Sequence, residues 1–276
     1  MALIQRDIYA QLTREKFEGK VKVLNLARPL GDLEGMGQGE KIAFPKWGLI
    51  GQPTEMTKGD AISTEEMQQT ESYATIKQVG KGVMVYDSSN KTNLGNQLDE
   101  GATQTGLVMA RKLDDDLIAE AKTTPLQTTC ADPKAITNAE IETGMLNYGD
   151  ERDIEEFAGI VVNSLLIPSF YAMNEFTDAQ NTTTMQNNGL IRNGLLGFYR
   201  GIPVYISDKG TYDSTAGECI TLIIKKGSLG YKMAKNLDIE LDREAKYKRT
   251  NVFADMMYAV KLVKDDGVVC IKSTNA

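Results

Sequence analysis

The chain has 276 residues, 41% of them hydrophobic and 25% charged, with 31 Lys and Arg against 38 Asp and Glu, a net charge of -7 and no histidine. That size and apolar share allow one large domain or two modest ones with a proper core, and the missing histidine excludes Ser-His-Asp and Cys-His nucleophiles and histidine-held metals. Three cysteines, Cys130, Cys219 and Cys270, fit neither a zinc site nor a redox pair and argue for a reduced compartment without a disulfide framework.

Charge is unevenly spread. Residues 99–156 carry 14 acidic and 5 basic side chains, whereas residues 225–264 carry 10 basic and 5 acidic ones. This fits a surface with local bias, and it fits a subunit that offers acidic and basic parts to different neighbours. No stretch is long and apolar enough to predict a membrane-spanning helix.

In chain order, residues 1–28 read as an arm. Leu3, Ile4, Ile8 and Leu12 fall on one face of a short helix, and VKVLNLA at 21–27 alternates in part like a strand. The start lacks the long apolar core of a signal peptide. The arm lies either across a neighbouring subunit or on its own domain. GDLEGMGQG at 31–39 is too glycine-rich for regular structure. It holds only a fragment of the dinucleotide pattern G-x-G-x-x-G and leads into a strand, where a phosphate loop must open a helix.

EKIAFPKWGLIG at 40–51 predicts an edge strand because of Pro45, and YATIKQVGKGVMVYD at 73–87 predicts a second. Together they predict a two-stranded ribbon with a polar tip at about 52–69. A ribbon alone has too few neighbours to be stable and exposes unpaired edges, so it must lie on its own body or on another copy. Trp47, Met56 and Lys58 are its candidate contacts between chains.

The organising element is LGNQLDEGATQTGLVMARKLDDDLIAEAK at 94–122. Leu94, Leu98, Ala102, Thr105, Met109, Leu113 and Leu117 recur at helical spacing. Gly95, Gly101 and Gly106 weaken its first half, and Pro125 bounds its end. Asp114, Asp115 and Asp116 are consecutive, so they do not share a face and cannot form a ready metal cage. Solvent exposure, or pairing with a neighbour's basic residues, is the expectation for them, which adds all three to the candidate intersubunit contacts.

Residues 123–134 read as a linker, and 136–153 as a helix and turn. A buried strand AGIVVN begins at 158, with a short helix starting near Ser164. FTDAQNTTTMQNNGL at 176–190 reads as a polar loop, GLLGFYRGIPVYISDKG at 194–210 as a glycine-framed turn and strand, and CITLIIKKGSLGYKM at 219–233 as a strand and turn. Residues 236–250 alternate in part and become charged. Asp266-Gly267 between the apolar runs of 251–272 predicts a hairpin.

This order of features resembles the major capsid proteins of tailed bacteriophages, the HK97-like family. GIPVYISD at 201–208 is similar to the glycine-proline strand of their axial domain, and RTNVFADMMYAVKLVKDDGVVCIK to their closing strands. The resemblance implies an α+β HK97-like phage capsid fold: an N-terminal arm (1–39), an extended two-stranded β-hairpin loop (40–87), a peripheral domain with a long spine helix (88–129), an axial domain (130–235) and the returning peripheral strands (236–276). It also implies a coat subunit that self-assembles as pentamers and hexamers into an icosahedral shell around double-stranded DNA. The expected partners are other copies, a separate scaffolding protein, a portal protein, an optional decoration protein and packaged DNA through non-specific contact, with no membrane, no cofactor and no catalysis. Assembly is expected in the bacterial host cytoplasm, and the virion capsid is the final location. Some relatives crosslink a loop lysine to an asparagine of another subunit. Lys58 stands where such a lysine would lie, and no local motif identifies an acceptor. The alternatives are an encapsulin-type shell enclosing cargo protein and a soluble carboxylate-dependent enzyme.

Overall fold

The computed structural model describes residues 10–17, 20–32, 39–48, 50–56, 58–59, 61–62, 64–88, 97–150, 152–174, 176 and 194–273. A helix α1 covers residues 10–17, and the long helix α2 spans Gln97–Ala121. Ala102, Thr105, Met109, Leu113 and Leu117 are all buried on α2, as the spacing predicts, and so are Ala110, Ile118 and Ala121. Leu94 lies outside the described residues. At ~1.5 Å per residue the helix is about 37 Å long.

Two sheets pack around α2. One is four-stranded, in the order β1 (Arg28–Asp32), β12 (Leu229–Glu244), β13 (Arg249–Leu262), β4 (Lys77–Tyr86). The other is six-stranded, in the order β5 (Gln127–Thr129), β14 (Val268–Lys272), β11 (Thr221–Lys225), β6 (Phe157–Val162), β8 (Ile202–Ile206), β7 (Leu195–Tyr199), and β9 (Tyr212–Asp213) pairs with β10 (Glu218–Cys219) as a short separate ladder. The main core joins α2 to one face of each sheet through Leu113, Leu117, Val161, Leu222, Tyr258 and Val260. The six-stranded sheet buries its other face under helix α3 (Asn138–Leu146) and the segment from Ser164 to Phe176, around Ile141, Phe170, Phe176, Ile160 and Ile223. Burial on both faces explains why β6 reads as the continuous apolar run FAGIVV. α3 starts at a capping box, in which Thr137 and Glu140 satisfy the helix's first amides reciprocally. β7 and β8 meet through Arg200 and Gly201, at φ 47° and 87°. That pair of positive φ angles matches the mirror-image turn of a tight hairpin.

Strands β2 (Lys41–Trp47) and β3 (Gln69–Thr75) pair antiparallel as a separate ribbon. The predicted ribbon is corrected in its second half. Ile76 is buried, its N–H donates to Glu40 O at 3.0 Å, and beyond it the chain leaves β2. Residues 77–86 pair instead with β13 along their whole length.

Two further expectations are corrected, and the open placement of the arm is decided for its described part. VKVLNLA is a 3-10 turn at Leu24–Leu26 rather than a strand, because its amides are used by a carboxylate of α2 described below. The described part of the arm lies on its own chain: α1 crosses α2 at Gly106, where an added Cβ would stand 2.8 Å from Thr13 O. Gly106 permits that approach, and the helix continues through it. Asp266-Gly267 does not make a hairpin, since β13 and β14 belong to different sheets and β14 pairs with β11 and β5. Gly267 is demanded by space, because a Cβ there would meet Ser228 Oγ at 2.0 Å. Residues 177–190 of the predicted polar loop lie outside the described residues.

Candidate assembly interface

The ribbon has a fixed root and an unsupported tip. At the root Ile42, Phe44, Ala74 and Ile76 form a small core with Ala259 of β13. The Lys232 ammonium lies 5.1 Å from the Phe44 ring centroid and donates to Ala43 O at 3.4 Å. Lys46 pairs with Asp265 at 2.7 Å. Beyond Gly48, whose N–H donates to Gln68 O at 2.9 Å, the described residues as far as Gln68 hold no helix or strand. The Glu65 carboxylate closes this excursion by accepting the Gly51 N–H at 2.8 Å.

Apolar side chains crowd the exposed tip. Ile50 is 60% exposed, Met56 49%, Ile62 75% and Met67 59%. Four large apolar groups in water within one excursion whose described residues hold no helix or strand make it a candidate for burial against a partner. Met56 and Lys58, both foreseen as contacts, are exposed there. The backbone of Trp47 pairs with Gln69, and its side chain is outside the described residues. Ile50, Ile62 and Met67 share this exposure and are not among the residues singled out from the sequence, where the available signal was isolated apolar residues in an otherwise polar stretch. A second exposed set, Met84, Tyr86, Tyr247 and Phe253, occupies the far end of the β12–β13 hairpin and its β4 neighbour.

The three spine acids are not a solvent-facing charge run. Asp114 and Asp116 are buried and have partners within the chain. Asp114 accepts the backbone N–H groups of Lys22, Val23 and Leu24 at 3.0, 3.0 and 3.2 Å. Burial raises its pKa, against the pull of those amides and the Lys22 ammonium. Lys22 donates its Nζ to Ile206 O at 2.7 Å, and burial lowers its pKa although Asp208 and Asp114 oppose this. Asp116 accepts the Tyr258 hydroxyl at 2.5 Å, Lys112 at 3.1 Å and Lys77 at 3.2 Å. Burial pushes its pKa up, but the hydroxyl and the two ammonium groups outweigh burial and hold it below the usual carboxylate range. Asp115 is half-buried beside Gly210. One turn of α2 therefore ties down the arm through Asp114 and the start of β4 through Asp116.

Among the described residues no three Cys, Asp or Glu side chains gather as a metal-ligand set. Cys130 is half-buried, and burial together with Glu140 pushes its thiol up to about 11, away from nucleophilic use at neutral pH.

No family model matches the chain. Over 267 residues it is 24% identical to the major capsid protein of Staphylococcus phage phiMR11, an alignment covering 96% of this chain and 92% of that protein. Its fold is similar to the capsid structure of the cyanophage P-SCSP1u, with TM-score 0.66, 14% identity and coverage of 93% and 89% of the two chains. It is also similar to the SrpI encapsulin of Synechococcus elongatus PCC 7942, with TM-score 0.61, 13% identity and coverage of 92% and 87%.

Proposed function

We propose that this chain, which has the HK97-like fold of tailed-phage major capsid proteins along nearly its whole length, is a coat subunit that self-assembles as pentamers and hexamers into an icosahedral shell around double-stranded DNA. The observation that carries the reading is the ribbon: a projection anchored on its own sheet at the root, with Ile50, Met56, Ile62 and Met67 in water at the tip. Among the described residues these side chains stay exposed, and in an assembly of identical subunits another copy is available to cover them. The work is mechanical, and Asp114 and Asp116 hold arm, helix and strands together.

In this reading α2 and the four-stranded sheet form the peripheral domain, with the ribbon as its extended loop. The six-stranded sheet with α3 forms the axial domain, and β5 and β14 cross into it from the flanking segments. Trp47, Met56 and Lys58 remain the proposed contacts between copies. Asp114 and Asp116 leave that set, since each is satisfied within its own chain. A separate scaffolding protein, a portal and an optional decoration protein are its partners, assembly takes place in the bacterial cytoplasm, and the virion capsid is its destination.

Electron microscopy of the full chain, expressed with and without its phage assembly partners, tests this. Closed shells are the expected outcome. A protein that stays monomeric at high concentration in both preparations would overturn it. The match to an encapsulin supports a second reading, a shell around cargo protein, and nucleic acid or a discrete protein inside the purified shells separates the two.

A further inference from the structure

We propose that the junction between the two sheets carries a phosphate-binding track, Lys264–Lys226–Arg28, that holds the backbone of a nucleic acid without reading its sequence. Two clefts of about 330 and 350 Å³ flank the turn between β11 and β12, and Lys226 lines both. Lys225 and Lys264 line the first with Lys226, and Arg28 lines the second. Lys226 therefore stands between the other two, and the cations form a row.

The row is built by three separate stretches that the fold brings to one place. Arg28 opens β1 opposite Gly230 of β12. Lys226 sits in the turn, whose Gly227 has φ 75°, and a Cβ added to Gly227 would meet only the Arg28 side chain, at 4.0 Å. Lys264 follows β13, and its N–H donates to Ser228 O at 3.2 Å. Lys225 is already engaged, paired with Glu156 at 2.9 Å and lying 4.9 Å from the Tyr148 ring centroid. Arg28, Lys226 and Lys264 are exposed, and among the described residues their side chains make no ion pair or hydrogen bond. Of the described acids that line the two clefts, Glu156 is taken by Lys225, which leaves Asp266 against three cations.

On a molecule of net charge -7, an uncompensated row of cations is where a polyanion settles. A phosphodiester chain, with a charge at every step, can occupy adjoining clefts in succession, whereas a lone carboxylate fills one. Lys and Arg contacts to phosphate give affinity and salt dependence but no base preference. The chemistry is a property of the free subunit, and only the source of the nucleic acid, an enclosed genome, rests on the coat-protein reading.

The test is fluorescence anisotropy of a short labelled DNA duplex with the full chain below its assembly concentration. Log affinity should fall linearly with log salt between ~50 and ~200 mM, with a slope of about -3. R28Q/K226Q/K264Q should lose most of that slope and bind roughly tenfold or more weakly at the low-salt end, while K81Q, at an exposed lysine of β4, keeps the slope. Circular dichroism confirms that each variant is folded, and K226Q alone, expected to reduce the slope by about 1, stands in if the triple variant does not fold. An unchanged slope in the folded variants would sink the proposal, as would displacement of the duplex by polyglutamate as readily as by unlabelled DNA. Loss of slope in a chain that forms no shells would refute the coat reading and leave the track standing; normal shells with an unchanged slope would do the reverse.

Discussion

At the residue scale, Asp114 is the side chain on which most depends. Its two oxygens serve three backbone donors in a buried place. Asp114→Ala would leave those amides without an acceptor, and a loss of about 2–4 kcal/mol in urea denaturation is expected. Asp116 gives a pH signature. Its native pKa lies below the ordinary carboxylate value, so its contribution is complete above the unfolded value and fades as pH falls through the native one. Wild type should therefore lose its advantage over Asp116→Asn as pH drops below about 4; parallel urea midpoints across that range check it, and a constant gap would count against the network. The sequence showed three acids in a row and no sign that two of them were interior. Burial was invisible there because, Lys112 apart, the donors they serve come from residues 22–24, 77 and 258, far along the chain.

At the scale of elements, two glycines act through space. Gly106→Ala would push a methyl group to within 2.8 Å of Thr13 O at the crossing of α1 and α2. A loss of about 1–3 kcal/mol follows from overpacking, which a chain of this size reports as a melting temperature lower by roughly 2–4 °C per kcal/mol. Gly267→Ala meets Ser228 and should cost at least as much in the same measurement. Helix spacing found α2, because a 3.6-residue repeat is a local property that packing then preserves. The fate of the two ends of the ribbon was not local. Residues 69–75 and 77–86 have similar strand character, but Ile76 is buried beside Ala259 and hands the chain from one partner to another. The Asp-Gly pair misled for the same reason, since a turn signal gives a change of direction and says nothing about which sheet receives the next strand.

At the scale of the whole molecule, the proposed contact at the ribbon tip is where folding and assembly can be measured apart. Met56→Asp and Ile62→Asp place charges at positions already in water, so the melting temperature of the subunit should stay within about 2 °C. Sedimentation velocity should show that shells no longer form, because charges cannot be buried cheaply against a second copy. Shells of normal size in both variants would remove the tip from the interface.

Periodicity, turn residues and the order of segments were enough to identify the long helix, an α+β body and the resemblance to a shell subunit, because these follow from which residues are neighbours along the chain. Pairing followed other rules. The described part of the arm lies on the chain's own helix, β4 extends the large hairpin, β14 joins the other sheet, two spine acids are interior, and three cations from distant stretches line one junction. Each of these was settled by which buried donors, close approaches and free strand edges became neighbours once the chain had closed on itself.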